Sequence, residues 1–166
     1  MTHEIYSKSL QELSKLEEKH VLKSFNSEVA WELGSLGRQL SQELHSSKAI
    51  VIDITLTSGQ TLFHSAVSSG TAYDNDNWVK RKYNTVFRFG KSSFYIGQKL
   101  RQKGKSIEEA MFVSSKEFAS HGGSVPLRVV SNEFIVGALT ISGLAQEEDH
   151  LLALQILQKY IAKSQD

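Results

Sequence analysis

Two kinds of periodicity divide the chain into helical and extended segments. Near the N-terminus, apolar residues recur at helical spacing among Lys and Glu, and a leucine stripe then predicts a second helix that starts near Asn26. From Ala49 the pattern changes to a β-branched run, and a turn containing Gly59 separates this run from a second extended run. The pattern predicts a β-hairpin in which Gly59 adopts a positive φ.

The second half of the chain repeats this order. Residues 74–77 offer N-cap side chains for a third helix, which is expected to end at Gly90. A further helical stretch covers residues 93–103, a second hairpin spans residues 125–141, and a last helix runs through Lys163. The order ααββααββα, with hairpins in place of βαβ crossovers, predicts an α+β fold in which helices pack on an antiparallel sheet.

Composition limits the class of protein. The 166 residues carry 19 Lys and Arg against 18 Asp and Glu, and 40% are hydrophobic, which is typical of a globular domain and argues against a polybasic nucleic-acid-binding protein. No apolar run has the length of a membrane span, and residues 1–20 lack the apolar core of a signal peptide, so we expect a cytoplasmic protein. Because the chain has no Cys and its six His form no helical i, i+4 pair, we expect no metal site.

The charges are unevenly distributed along the chain. Residues 77–107 contain nine basic residues and no acidic one, which leaves 10 basic against 18 acidic residues elsewhere, a net charge of −8. The predicted basic stripe consists of Lys80, Arg81, Arg88 and Lys91. Such a stripe can be a solvated face, a contact with another subunit or protein partner, or a site for a small anion, and the sequence leaves these alternatives open.

A candidate ligand pocket lies where the second hairpin meets the last helix. Glycines there allow close approach of the backbone, and a helix N-terminus offers free N–H groups to an anion. The predicted ligand-binding residues are His121, Gly122, Gly123, Ser142, Gly143, Glu147, Asp149 and His150. The acidic residues also favour the helix dipole, and His150 is either a core histidine hydrogen-bonded to the backbone or a ligand or proton-transfer group.

Two non-catalytic functions follow from these features. No nucleophile, base and orienting group stand out together, so the sequence favours a binder of a small anionic ligand and leaves an enzymatic role open. The last helix also carries Leu152 and Ile156 away from its inward face, which predicts coverage by another subunit in a homo-oligomer. The alternative function is therefore a protein-interaction adaptor or scaffold that acts through the oligomer surface.

Several motifs resemble the haem-degrading (HbpS-like, GlcG-like) domain family. They are a Gly-Gly before a Pro at 122–126, a strand ending in Ser-Gly at 137–143 and an acidic helix start at 147–149. The helical Lys-x-x-Thr of that family is matched by Lys82 and Thr85. Longer strings at 74–78, 88–94 and 147–150 are similar to an uncharacterised cytoplasmic branch of the family found in bacteria and fungi.

The resemblance implies an antiparallel sheet with helices on it, in homo-oligomers built from dimers. It covers residues 26–161, with residues 1–24 as an N-terminal helical extension, within a single domain of residues 1–166. Haem is the cofactor that the wider family suggests, although its members differ in whether they bind it. Because Thr140 stands where the family pattern has Gly, and the Gly-Gly-to-Pro spacing is longer here, no haem ligand is assigned.

Overall fold

A five-stranded sheet with helices on both faces organises residues 3–164, the part of the chain that this computed structural model describes. The helices are a 3-10 turn at Glu4–Ser7 and α1 (Leu10–Glu18), α2 (Ser27–Leu44), α3 (Tyr73–Phe89), α4 (Ser93–Lys103), α5 (Ile107–Met111) and α6 (Gln146–Ser164). The strands are β1 (Val21–Leu22), β2 (Ile50–Leu56), β3 (Thr61–Val67), β4 (Ser124–Val129) and β5 (Gly137–Ser142). None of these helices combines the length and the apolar character needed to cross a membrane.

The two predicted hairpins supply four of the five strands of the sheet, whose strand order is β1-β4-β5-β2-β3. Strand β2 pairs antiparallel with β3 and β5, and β4 pairs antiparallel with β5, which confirms the α+β class and both hairpins. Strand β1 runs parallel to β4, with Val21 opposite Arg128, so the sheet is mixed and the prediction of a strictly antiparallel sheet is wrong. A strand of two residues is too short to produce an alternating pattern in the sequence.

Helix and turn boundaries follow the predicted capping residues in most places. The side chain of Asn26 accepts a hydrogen bond at the start of α2, and Gly59 has the predicted positive φ, at 93°. Gly90 ends α3 as expected, with a φ of 68°. The N-cap of α3 is Ala72, so the residues expected to cap this helix lie inside its first turn. One of them, Asn75, reaches back and accepts a hydrogen bond from the Ala72 N–H at 2.9 Å.

The N-terminal segment packs against the rest of the chain. Ser9 caps α1 through a reciprocal hydrogen bond with Glu12, so the predicted first helix is divided into a 3-10 turn and α1. Ile5 and Leu13 are buried in one apolar cluster with Phe94 of α4. The outermost residues of the expected single domain, 1–2 and 165–166, lie outside the described part of the chain.

The two faces of the sheet differ in polarity. In β2, Ile50, Ile52 and Ile54 belong to the apolar core beneath α2 and α6. The intervening Asp53 and Thr55 point to the opposite face, on which α3 lies. The buried side chains of α3 are those of Val79, Lys82, Thr85 and Val86. A layer that contains polar and charged groups therefore separates α3 from the sheet.

The last helix, α6, is covered by its own chain. Leu152 is 1% exposed and Ile156 is 0% exposed, and both belong to the core that α6 shares with α2 and the sheet. The expectation that these two side chains need another subunit to cover them is therefore wrong. The physical reason is that α6 contacts α2, α4 and the sheet together, which buries more than one stripe of the helix.

Candidate functional site

A cavity opens between α3 and the start of α6, beside the Gly122-Gly123 turn. Its volume is about 210 Å³. The lining residues are Trp78, Lys82, His121, Ser142, Gly143, Leu144, Gln146 and Asp149. The structure thus brings together the predicted residues His121, Ser142, Gly143 and Asp149.

Lys82 and Asp149 form a buried ion pair on the inner side of this cavity. Lys82 Nζ lies 2.9 Å from Asp149 Oδ2, and the two side chains are 4% and 2% exposed. The Lys82 ammonium also donates to the carbonyl oxygen of Ile141 at 3.1 Å. The Leu144 N–H donates to the other carboxylate oxygen of Asp149 at 3.0 Å. Both charged groups therefore have additional polar partners, which offset part of the cost of burying charge.

The Gly122-Gly123 turn makes room for this ion pair. Gly123 has a φ of 136°, a conformation that other residues rarely adopt. A Cβ atom on Gly123 would lie 2.3 Å from the carbonyl oxygen of Ile141 and 2.8 Å from Lys82 Nζ. A Cβ atom on Gly122 would lie 2.4 Å from the carbonyl oxygen of Gln146. The two glycines therefore let the turn approach β5, the ion pair and the start of α6.

Burial shifts the pKa of each member of the pair in the direction that favours its neutral form. For Asp149, burial outweighs the opposing effects of Lys82 and of main-chain hydrogen bonds, and it raises the pKa to about 6. For Lys82, burial outweighs the attraction of Asp149 and lowers the pKa. The pKa of His121 is also lowered, first by burial and then by the positive charges of Lys82 and Arg81.

An aromatic pair forms the mouth of the cavity. The rings of Trp78 and His121 have centroids 4.8 Å apart and meet edge to face at 77°. The Arg81 guanidinium lies 4.4 Å from the centroid of the Trp78 ring, and Arg81 Nε donates to the carbonyl oxygen of Ser115 at 3.0 Å. Consecutive residues of α3 therefore supply the buried amine of Lys82 and a second cation that lies over the Trp78 ring.

The four residues of the predicted basic stripe lie in different surroundings. Arg81 packs on the Trp78 ring, whereas Lys80 and Arg88 are exposed. Lys91 makes a separate contact, with its Nζ 2.9 Å from a carboxylate oxygen of Glu18 in α1. None of these four basic residues lines the cavity, and Lys80 and Arg81 instead share a separate cleft of about 630 Å³.

His150 and Glu147 do not line the cavity. The His150 ring is fully buried and stacks on Phe94, with centroids 4.7 Å apart at 17°, and burial lowers its pKa to about 3. Within residues 3–164 neither ring nitrogen has a hydrogen-bond partner, so the expected bond to the backbone is wrong. Glu147 accepts a hydrogen bond from the Tyr6 hydroxyl at 2.8 Å and so links α6 to the N-terminal segment.

Lys82, Trp78 and Gln146 line the cavity although they are absent from the residues predicted to bind a ligand. The sequence does contain a pattern that indicates a buried position for Lys82. Val79, Lys82 and Val86 share one face of α3 by their spacing of three and four residues. A lysine on an apolar helix face needs a buried partner, because an unpaired charge there is costly.

A second titratable cluster lies on the same face of the sheet. Asp53 of β2 stands opposite His64 of β3, with Asp53 Oδ2 2.7 Å from His64 Nδ1, and His64 Nε2 lies 2.9 Å from Asp76 of α3. Burial lowers the pKa of His64, but the two carboxylates outweigh this effect and raise the pKa overall. Across residues 3–164, no group of three His, Cys, Asp or Glu side chains is arranged to hold a metal ion.

The fold and the cavity define a class of α+β protein with a sheet built from two hairpins and a polar cavity beside a glycine turn. The chain belongs to the haem degrading protein HbpS-like family, whose family model matches residues 25–158. This match confirms the resemblance inferred from the Gly-Gly, Ser-Gly and acidic helix-start motifs.

Relatives occur in a fungus and in bacteria. The chain is 43% identical over 156 residues to the UPF0303 protein YBR137W of Saccharomyces cerevisiae, a match that covers 93% of this chain and 86% of that protein. It is 39% identical over 155 residues to the UPF0303 protein SCO2848 of Streptomyces coelicolor, covering 93% and 95%. The crystal structure of Ybr137w protein matches with a TM-score of 0.92 at 41% identity, covering 98% of this chain and 94% of that one.

A more distant structure shares the fold. The crystal structure of the PduOC:Heme complex matches with a TM-score of 0.63 at 18% identity, covering 84% of this chain and 94% of that one. The cavity beside Lys82 and Asp149 does not fit haem. Its volume of about 210 Å³ lies below the roughly 300–1,000 Å³ of sites for drug-sized ligands. His121 at the mouth is its one lining residue of a type that ligates haem iron in proteins.

Proposed function

We propose that this protein binds a small anionic ligand in the cavity beside Lys82 and Asp149. The observation that carries the proposal is the charge around the cavity. Lys82 lines it and Arg81 lies over the Trp78 ring that also lines it, while its one lining carboxyl group, that of Asp149, is paired with Lys82. Glu147, an acid that would oppose an anion, is turned toward Tyr6 instead.

The cavity also has hydrogen-bond donors for such a ligand. The Lys82 ammonium has three N–H donors and uses two of them, on Ile141 and Asp149. The imidazole of His121 and the side chain of Gln146 line the same space, and Gln146 Oε1 accepts a hydrogen bond from the Gly122 N–H, which leaves its amide N–H₂ as the donor group. Donors from separate elements that converge on one small space are typical of sites that orient a polar ligand.

The size of the cavity limits the ligand. At about 210 Å³ it suits a short carboxylate or a phosphate rather than a nucleotide or a macrocycle. A charged ligand of this size gains affinity from a few well-placed polar contacts, because it has little apolar surface to bury.

Thermal shift measurements on the purified protein test this proposal. The ligand series is acetate, lactate, pyruvate, succinate and inorganic phosphate, each at matched ionic strength. A ligand that binds the folded state raises the melting temperature as its concentration exceeds the dissociation constant. We expect at least one carboxylate or phosphate to stabilise the protein, and we expect His121→Ala to weaken that stabilisation.

Lys80→Gln is the control for net charge, because Lys80 is an exposed basic residue of α3 that does not line the cavity. It removes one positive charge and leaves the lining residues unchanged. The proposal is overturned if no anion stabilises the protein, or if Lys80→Gln and His121→Ala reduce the stabilisation equally.

A second candidate function is docking to protein partners, including further copies of this chain. Its support is the surface around Trp31 of α2, which is 67% exposed and packs edge to face on Phe63 of β3. Clefts of about 450 and 630 Å³ lie on its two sides. Strand β3 is also an edge of the sheet, where unpaired backbone groups favour association.

Native mass spectrometry of the protein and of Trp31→Ser tests self-association. If this surface joins subunits, Trp31→Ser shifts the assembly toward smaller species, and an unchanged mass distribution contradicts that role. Charge reversal of the exposed Lys80 and Arg88 to Glu tests the basic stripe in the same way. Unchanged assembly and unchanged recovery of partners would exclude a charge-based contact there.

A further inference from the structure

Lys82 is the one buried lysine within residues 3–164. Its Nζ lines the cavity and contacts a carbonyl oxygen and a carboxylate. A lysine amine attacks a carbonyl carbon only in its unprotonated form, and proteins favour that form by enclosing the amine away from water. The position of Lys82 therefore meets the first requirement for a nucleophilic lysine.

A proton acceptor for this amine lies in direct contact. The distance of 2.9 Å between Lys82 Nζ and Asp149 Oδ2 is that of a hydrogen bond along which a proton can pass. Burial lowers the pKa of Lys82 and raises that of Asp149, so the neutral amine and carboxylic acid are closer in free energy to the ion pair than they are in water. The arrangement resembles the nucleophile-and-base pairs of enzymes that act through covalent intermediates.

We propose that Lys82 captures a short-chain oxo acid in this cavity as an imine. The inference rests on the proposed function, because the carboxylate of the oxo acid is the anion that the cavity attracts. The carbonyl group beside that carboxylate is the additional feature that Lys82 recognises. The rings of Trp78 and His121 line the cavity beside this amine.

The reaction is balanced without an external co-reactant. The Lys82 ammonium gives a proton to the Asp149 carboxylate, and the free Nζ lone pair forms a bond to the carbonyl carbon. The carbonyl oxygen takes up the proton from Asp149 and a second proton from Nζ, and it leaves as water. The products are a protonated imine on Lys82, the Asp149 carboxylate and one water molecule, so charge and atoms are conserved.

Reductive trapping tests the imine. The protein is incubated with pyruvate near neutral pH, reduced with sodium borohydride and digested, and the modified lysines are quantified by mass spectrometry. The lowered pKa of Lys82 raises its unprotonated fraction near neutral pH above that of an exposed lysine, and the amine lines the cavity that would hold the oxo acid. We therefore expect the adduct on Lys82 to exceed that on the exposed Lys80 severalfold.

Lactate separates this inference from the proposed function, because it has a similar size and charge but no carbonyl carbon to trap. A Lys82 adduct that lactate suppresses by competition supports the imine. If pyruvate and lactate both stabilise the protein in thermal shift while Lys82 is labelled no more than Lys80, the imine is overturned and anion binding stands. If neither acid stabilises the protein and no adduct forms, both proposals fail.

The variant for this test removes both charges, Lys82→Met together with Asp149→Asn. The double substitution leaves no unpaired buried charge, and the Asn amide keeps an acceptor oxygen for the Leu144 N–H. The loss of Lys82 ends specific trapping if the inference is right. If the double variant incorporates as much pyruvate as the natural chain while it stays folded, labelling comes from other lysines and the inference is overturned.

Discussion

Lys82 Nζ and Asp149 Oδ2 lie 2.9 Å apart although 67 residues separate them in the sequence. The pair connects α3 to the first turn of α6 across the end of β5, where Lys82 also holds the carbonyl of Ile141. Removing one partner leaves the other charge buried without compensation, and this is costly. We therefore expect Lys82→Met to lower the free energy of unfolding by about 3–5 kcal/mol at pH 7.5. Urea unfolding followed by circular dichroism measures this change.

The double variant Lys82→Met with Asp149→Asn is the control for this prediction. It removes both charges, so we expect it to recover more than half of the stability that Lys82→Met loses. A double variant as unstable as the single one would mean that the lysine stem, rather than its charge, is what stabilises the fold.

The pKa of Asp149 predicts how stability varies with acid. Its value of about 6 in the folded chain lies above the roughly 3.9 of an unfolded Asp. The folded state therefore holds the proton more tightly, and the contribution of this group to the free energy of unfolding falls as the pH rises from about 4 through about 6. Urea unfolding across this range should show the fall in the natural chain relative to the double variant. Parallel pH profiles in the two proteins would contradict the prediction.

The backbone conformation and the close packing of Gly123 predict that one added methyl group there strongly destabilises the fold. Gly123→Ala places a side chain at a φ of 136°, with its Cβ 2.3 Å from the Ile141 carbonyl oxygen, so both strain and steric overlap oppose folding. We expect a loss of about 3 kcal/mol or more. Gly59→Ala is the matched control, because φ is 93° there but nothing lies within 4 Å of the added Cβ. It should cost only about 1–2 kcal/mol, and equal losses at the two sites would exclude the crowding argument.

The raised pKa of His64 predicts a second loss of stability with rising pH, in a range above that of Asp149. Burial lowers the pKa of His64, but Asp53 and then Asp76 raise it above the ordinary value, so the protonated ring stabilises the fold. This stabilisation is complete below about pH 6.5 and is lost as the pH rises through the higher folded value. NMR titration of the His64 ring protons measures the pKa directly. We expect Asp76→Asn to lower it.

Asp74→Asn is the matched control for that titration, because Asp74 is an exposed carboxylate in the same turn of α3. It should leave the pKa of His64 almost unchanged, since salt screens exposed charges that are not in contact. Equal shifts from the two variants would mean that Asp76 acts through the general field of the turn and not through its hydrogen bond.

Much of the framework could be predicted because periodicity and capping residues act locally. The leucine stripe and Asn26 defined α2, and the turn at Gly59 located the first hairpin. Strand β1 could not be predicted, because two residues carry no period and its pairing depends on the distant β4. Long-range packing, rather than local preference, determines such an element.

The candidate site could be predicted only in part, for a different reason. Asp149 and His150 are neighbours on α6, and the rotation of the helix decides which of them faces the cavity. That rotation is determined by the apolar contacts of the whole helix with α2 and the sheet, which no local pattern specifies. The local pattern places Lys82 on an apolar face of α3, but its partner Asp149 comes 67 residues later, so the ion pair could not be predicted.

The polar layer beneath α3 determines where the folded chain opens locally at the lowest free-energy cost. Of the four buried side chains of α3, Lys82 and Thr85 are polar, whereas α2 and α6 bury mostly aliphatic ones. When α3 lifts from the sheet, water can satisfy the groups that it leaves behind, and the apolar core on the other face stays dry. The free-energy cost of local opening should therefore be lowest along this layer. A ligand could enter there while the rest of the fold stays closed.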